Sequence, residues 1–269
     1  ITNQIETEVA LDIGDRASRA VGTAGTTPFA SNFNTVAEVR QVLVDNGMPS
    51  NDRQATLVIN SAAGTKLRNL AQLNQVDSSG NDDMLRRGTL LDLQGLMMKE
   101  SAGLDNHTAG TGSSATTDDA GYAVGATTIT LASAGTGTIL AGDVVTFAGD
   151  TNQYVVTTGD GDVSGGGSII LGENGLRVAI AASTTAITVA AASVKNVAFH
   201  RSAVEIGIRG MAQPMGGDAA VDRMTVQDPM SGIIYNIAAY KGYNKAMFDI
   251  SCLYGYKVWK PEFTAVLLG

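Results

Sequence analysis

Between residues 105 and 197 the chain changes character, and that change constrains its fold more than any other feature. The segment holds 15 of the 32 glycines, three aromatic residues (Tyr122, Phe147, Tyr154), eight acidic residues and two basic ones. Short runs at 127–131, 143–147, 153–157, 168–171, 177–180 and 186–190 mix Thr with Ile, Val and Leu. Gly-Asp, Gly-Asp-Gly-Asp, Gly-Gly-Gly and Asn-Gly turns separate them. Short alternating runs between turn signals predict an all-β sandwich or barrel. About 90 residues is an ordinary size for a small domain. The expectation is an antiparallel β-barrel inserted into a mixed host, with long irregular hairpins on a single domain as the alternative.

The flanks read differently, and the whole is α+β. Ile5, Val9, Ile13, Ala17 and Ala20 recur at helical spacing and predict a helix over 1–21. A Gly/Thr loop follows at 22–34. Asn34 or Thr35 can cap a second helix, ended by Gly47-Met48-Pro49. A strand is expected at 55–59, then a helix opened by Ser61 and carrying Leu67, Leu70 and Leu73. Residues 74–88 form a polar loop; in 89–104 the pattern is ambiguous, Leu91, Leu93 and Leu96 favouring an extended reading that Gly95 breaks. After 198, strands at 203–208, 224–227, 233–238, 246–254, 257–259 and 265–268 form a closing antiparallel meander.

Composition removes several function classes. Charged residues make up 16% of the 269 and the net charge is −8, against roughly 25% charged in typical domains. An acidic chain gains nothing from counterion release on DNA, so tight nucleic-acid binding is not expected. The single cysteine, Cys252, has no partner for an internal disulfide and is expected to be a buried, inert thiol. No apolar run reaches the length of a membrane span, so no membrane partner is expected. The first residue, Ile1, already lies in a helical pattern and is not Met, so further chain is expected upstream.

Little in the sequence points to chemistry. His107 and His200 are far apart and have no Cys or carboxylate at metal-ligand spacing. A Ser-His-Asp set would require tertiary chance. No catalytic residue, cofactor or enzymatic activity is expected. Asp160-Gly161-Asp162-Val163-Ser164-Gly165 matches the first half of a calcium loop. Its candidate ligands are Asp160, Asp162 and Ser164. The twelfth position is Leu171 and Glu173 comes two residues late, so the segment reads as a Gly-rich turn. Arg86-Arg87 beside Asp82-Asp83 can pair across a subunit boundary or stay solvated.

Four segments carry a resemblance. VALDIGDRASRAVGTAGTTPFA (9–30) resembles the helix-then-glycine passage of HK97-like coat proteins. NDRQATLVINSAAGTKLRNL (51–70) looks like the strand, Asn and helix that open their axial domain. ILAGDVVTFAGDTNQYVV (139–156) is similar to barrel strands of the domain inserted in P22-like coat proteins. YGYKVWKPEFTAVLLG (254–269) resembles the family's closing strands. The chain is thus identified as resembling a C-terminal piece of a tailed-phage major coat protein, without its N-terminal arm and extended loop.

The resemblance implies an HK97-like coat fold. Its parts would be the end of a peripheral spine helix (1–25), the axial domain (26–104 and 198–222), an inserted β-barrel (105–197) and closing strands (223–269). It implies self-assembly into pentamers and hexamers of an icosahedral virion shell, formed in the cytoplasm of a bacterial host. Scaffolding and portal proteins are the implied partners, with DNA enclosed but not read by sequence. Candidate interface residues are Phe29 and Phe33 near the capsomer axis, Arg86 and Arg87, and Asp143 and Asp150 in the barrel loops. An encapsulin-like shell would share the fold, though the Gly/Thr-rich barrel argues against it. A secreted β-rich adhesin or glycan-binding protein fits the Thr-rich strands but not the helical start.

Overall fold

A computed structural model describes residues 2–50, 52–75, 83–90, 92–213, 215–229 and 231–269. The architecture is α+β and dominated by sheet. By contacts the chain divides into two units: Ile1–Ala203 with Val258–Gly269, and Val204–Lys257. The domain limits expected from the sequence fall elsewhere. The limit at 197 lies inside one continuous strand, β10 (Ser193–His200).

The first unit opens with α1 (Thr2–Arg16), which buries Ile5, Val9 and Ile13. The expected helix to residue 21 stops short. Residues Arg19–Val21 are instead a strand, β1. Ala17 and Ala20 are both buried, and a three-residue spacing of small apolar residues suits either conformation. Here β1 is held on both sides, parallel to β16 (Thr264–Leu268) and antiparallel to β7 (Gln153–Thr158).

The second helix, α2 (Asn34–Asp45), starts where expected, but its N-cap is Phe33 with no side-chain cap hydrogen bond. Strand β2 (Ala55–Asn60) buries alternate residues and runs into α3 (Ser61–Arg68). The Asn60 side chain caps α3 by accepting the Ala63 N–H at 2.9 Å. That satisfies one of the helix's orphan donors. A short helix, Ala71–Asn74, follows. Residues 76–82 of the expected polar loop lie outside the described residues; Asp83–Arg87 is one helical turn. Strand β3 (Met97–Ser101) lies parallel to β2.

The main sheet has eleven strands: eight follow the path β3-β2-β10-β16-β1-β7-β6 (Val144–Phe147)-β9 (Ile187–Val189), while β4 (Asn106–His107) pairs with β10, β8 (Gly167–Leu171) with β7, and β5 (Thr128–Leu131) with β8. The closing strand β16 therefore belongs to the centre of this sheet, between β10 and β1, and not to a meander. Its five residues are all buried, and the unbroken apolar run Ala265–Leu268 is what a strand covered on both faces requires.

Within 105–197, strands β5 (Thr128–Leu131), β8 (Gly167–Leu171), β7, β6 (Val144–Phe147) and β9 (Ile187–Val189) pair in that order. Bridges Thr116↔Ala186 and Thr117↔Leu131 join the two ends of this row, so hydrogen bonds run full circle. Residues alternate as strand geometry demands. Ile129, Leu131, Val145, Phe147, Tyr154, Val156, Ile169, Leu171 and Ile187 fill a core inside the ring. Val144 and Val155 point outward and pack with Ala17, Ala20, Val266 and Leu268. The expected strand at 177–180 is absent. Its backbone is tied instead by one bridge, Tyr122↔Ile180, and by the Arg177 N–H donating to the Tyr154 hydroxyl.

The second unit contains two sheets. β11 (Val204–Arg209) pairs with β15 (Leu253–Val258). β12 (Asp222–Gln227), β13 (Ile234–Gly242) and β14 (Lys245–Ser251) form an antiparallel meander. Cys252 falls between β14 and β15 and is half-buried, not fully enclosed as expected.

Candidate assembly surface

The meander β12–β13–β14 has two unlike faces. Its register places Met224, Ile237 and Ile250 in one row, Val226 beside Tyr235, and Ala239 beside Phe248. Side chains in a row share a face, so these seven form one largely apolar surface, with Asp222 at its edge in the Ala239–Phe248 row. On it Phe248 is 70% exposed, Met224 55%, Ile250 54% and Val226 37%. The opposite face is the more polar one, with Arg223, Thr225, Asn236, Tyr240, Asp249 and Ser251, though Met247 stands beside Tyr240 and is 60% exposed. There the segment 211–218 adds Met211, Gln213 and Asp218 to a cleft of about 260 Å³. Tyr240 donates its hydroxyl to Asp218 Oδ2 at 2.7 Å, and Arg223 forms an ion pair with the same carboxylate. The polar face is thus engaged within its own unit, while the apolar face is open. Burying side chains of this size is worth about 1.5–3 kcal/mol each, which makes this open row the candidate for a contact surface.

Sequence reasoning missed this surface because alternation alone does not say which face is covered. The signal was present: apolar residues occupy alternate positions 224, 226 and 248, 250.

The residues singled out from sequence fare differently. Phe29 is buried in the core of the first unit, 3% exposed, with a left-handed backbone at φ 65°. Phe33 packs against the same core. Phe29 therefore presents no free aromatic face, while Phe33 is half-buried. Asp143 is completely buried and serves the interior. It accepts the Leu140 N–H at 2.7 Å, the Gly110 N–H at 3.1 Å and His107 Nε2–H at 2.8 Å. Asp150 is half-buried and accepts the Tyr154 hydroxyl at 2.6 Å and the Asn152 N–H at 2.9 Å. Burial, with Asp150 second, pushes the Tyr154 phenol up to about 12. Arg86 and Arg87 are exposed, and Arg87 Nε lies 3.6 Å from Asp83 Oδ1 within one helical turn.

Asp160, Asp162 and Ser164 close a turn on themselves. Asp160 Oδ1 accepts the Asp162 N–H at 2.8 Å, and Asp162 Oδ1 accepts both the N–H and the hydroxyl of Ser164. Those bonds hold the Asp162 carboxyl below its ordinary range. Among the described residues, no group of three or more His, Cys, Asp or Glu side chains is placed to hold a metal ion.

One juxtaposition was invisible in the sequence. His200 Nε2 lies 2.7 Å from Asp52 Oδ2, and its Nδ1 lies 2.7 Å from Ser202 Oγ. The Ser202 N–H also donates to Nδ1, which makes Nε2 the protonated nitrogen. His200 is buried, and its ring meets Phe263 edge-on at 6.2 Å. The Arg201 N–H donates to Gln54 O, so the group fastens the loop before β2 to the end of β10. The hydrogen bond from His200 holds the Asp52 carboxyl below its ordinary range.

No helix among the described residues is long and apolar enough to cross a membrane. No protein-family model matches the chain, and no curated protein matches it. A solved structure from Mycobacterium phage Che8 is similar at 15% identity and a TM-score of 0.47. The alignment covers 98% of this chain and 58% of that one, so the chain spans a little over half the length of its structural neighbour. At that identity and score the likeness identifies neither a family nor a function.

Proposed function

We propose that the chain is a structural, self-assembling subunit of a shell, a major coat protein of the HK97-like and P22-like kind, and that it acts without catalysis. The observation that carries this reading is the open apolar face of β12–β14. Met224, Phe248 and Ile250 form an exposed patch that a subunit working alone would have to keep from water. Repeated contacts between unlike surfaces of identical subunits close rings and shells. The low charge content supports the same reading, because weakly charged surfaces cost little to desolvate against copies of themselves. The closed hydrogen-bonded ring over 115–189 supports an inserted β-barrel, and the four sequence resemblances support the family reading. In this reading the assembly residues are those of the apolar face, with Arg86 and Arg87 as exposed secondary candidates. Partners are other copies, a scaffolding protein and a portal, and the enclosed cargo is DNA held without sequence readout.

Negative-stain electron microscopy of the parent gene product, expressed with and without its neighbouring open reading frames, tests the proposal. Uniform closed shells support it, and nucleic acid inside them separates a virus shell from an enzyme-filled compartment. Monomers and small oligomers under every condition would overturn it.

A further inference from the structure

Strand β14 pairs with β13 along one edge, and among the described residues no strand pairs with the other. Every residue from Lys245 to Ile250 is exposed. In an antiparallel ladder, opposed residues alternate between pairs that exchange both main-chain hydrogen bonds and pairs that exchange none. Gly242 and Lys245 flank the turn Tyr243-Asn244 and are the first pair of this ladder, so they exchange theirs. Tyr240 with Met247, and Ala238 with Asp249, then do the same. The N–H and C=O groups of Ala246, Phe248 and Ile250 consequently point to the open edge. A row of unpaired main-chain groups is a template for another strand.

A second copy of β14 fits that edge by charge. Lys245, Met247 and Asp249 alternate along one face of the strand. No ion pair among the described residues engages Lys245 or Asp249, whereas on the opposite edge strand, β12, Arg223 is paired with Asp218 of its own chain. Outward main-chain groups must meet outward groups, so the two-fold axis of an antiparallel pair passes through a residue and not between two. Through Lys245 or Asp249 it opposes like charges, which destabilises a sheet. Through Met247, and no other residue, it sets Lys245 against Asp249 of the copy and Asp249 against Lys245. Ala246 and Phe248 then exchange main-chain bonds with Phe248 and Ala246 across the axis. A lysine on an edge ordinarily keeps other strands away; this one has its counterion placed for it in an identical chain. We propose that β14 pairs with β14 of a second copy across a two-fold axis at Met247, joining two three-stranded meanders into one sheet with their apolar faces side by side. Such a contact is isologous, the same strand on both partners. The inference rests on the shell reading only in taking another copy as the partner, and it needs no closed shell.

Single cysteines read the register, placed in the full-length gene product with Cys252→Ser. At the axis the two Cα atoms of residue 247 stand about 4.5 Å apart, within disulfide reach. Residues 243 and 251 stand roughly 26 Å along the strand from their own counterparts. Under mild oxidation Met247→Cys is expected to give covalent dimers about tenfold faster, or more, than Tyr243→Cys or Ser251→Cys. Met247 is 60% exposed and Tyr243 93%, so these substitutions spare the core. In the Met247→Cys chain, Lys245→Glu should abolish the fast link, and adding Asp249→Lys should restore it. Equal rates at the three positions, or a Lys245→Glu chain that links as fast as its parent, would overturn the proposal. Large particles that form without the link at 247 overturn this contact and leave the shell reading standing. The link in a chain that never grows beyond a dimer overturns the shell reading and supports the contact.

Discussion

Lys195 Nζ lies 2.6 Å from Asp15 Oδ1, joining strand β10 to the last turn of α1 across 180 positions of sequence. The two ends of the pair are unequal. The Lys195 side chain is 2% exposed and that of Asp15 is 37% exposed. Burial lowers the Lys195 amine from its ordinary range, opposed by Asp15 and Asp143. Removing the exposed partner strands a charge in the interior, whereas replacing the buried one leaves Asp15 in reach of water. Asp15→Ala is therefore expected to cost about 2–3 kcal/mol, below the usual loss for a fully buried pair. Lys195→Met should cost less than 1.5 kcal/mol, being close in volume. Denaturant unfolding of both variants checks the order. Because the folded-state pKa of Lys195 lies below its unfolded value, its contribution to stability should rise with pH as the solution approaches the unfolded lysine range.

Asp143 makes the sharpest contrast with its expected place in an interface. Its carboxylate serves two backbone N–H groups and His107. Asp143→Ala leaves those donors without an acceptor and should cost about 3–5 kcal/mol of fold stability. The measurement is again equilibrium unfolding, and the loss should appear equally in the unassembled chain.

Tyr154 gives a prediction at high pH. Its hydroxyl pKa is raised to about 12 by burial and by Asp150. The unfolded tyrosine ionises near 10. Between those values the folded chain keeps a proton that the unfolded chain releases, so stability contributed by this group falls as pH climbs from 10 to 12. Ultraviolet titration of phenolate should show late ionisation of Tyr154, alongside Tyr122, which burial and Asp118 also push upward, and Asp150→Asn should bring only the Tyr154 step earlier.

Two glycines separate backbone strain from crowding. Gly25 has φ +75° with open space around a would-be Cβ, while Gly137 has φ +87° with Thr111 O only 2.4 Å from that position. Gly25→Ala should cost about 1–2 kcal/mol, the ordinary penalty for a left-handed residue with a side chain. Gly137→Ala should cost clearly more, because the Thr111 carbonyl is main chain and cannot step aside. Thermal unfolding of the pair distinguishes the two contributions.

Some of this architecture was legible in the sequence. Strand β2, helix α2 and the Asn60–Ser61 helix start follow from alternation, helical periodicity and capping chemistry, all of which are local. The strands of 105–197 follow from Thr-rich runs between glycine turns. What was not legible is non-local. Arg19–Val21 reads as helix until β7 and β16 close on both its edges. Residues 265–268 read as the end of a meander until β10 and β1 enclose them. Asp143 reads as a surface turn residue, because its acceptor role depends on His107 and Gly110 arriving from another stretch of chain. The apolar face of β12–β14 needed the register to reveal which side stays open.

That open face bears the central claim, and sedimentation velocity of the full-length gene product beside its Phe248→Glu variant tests it most directly. Phe248 is 70% exposed, so the substitution should leave unfolding within about 0.5 kcal/mol of the parent. The account predicts concentration-dependent association of the parent into large particles, and its loss in the variant with the fold intact. A variant that associates as the parent does, or a parent that stays monomeric at every concentration, would contradict it.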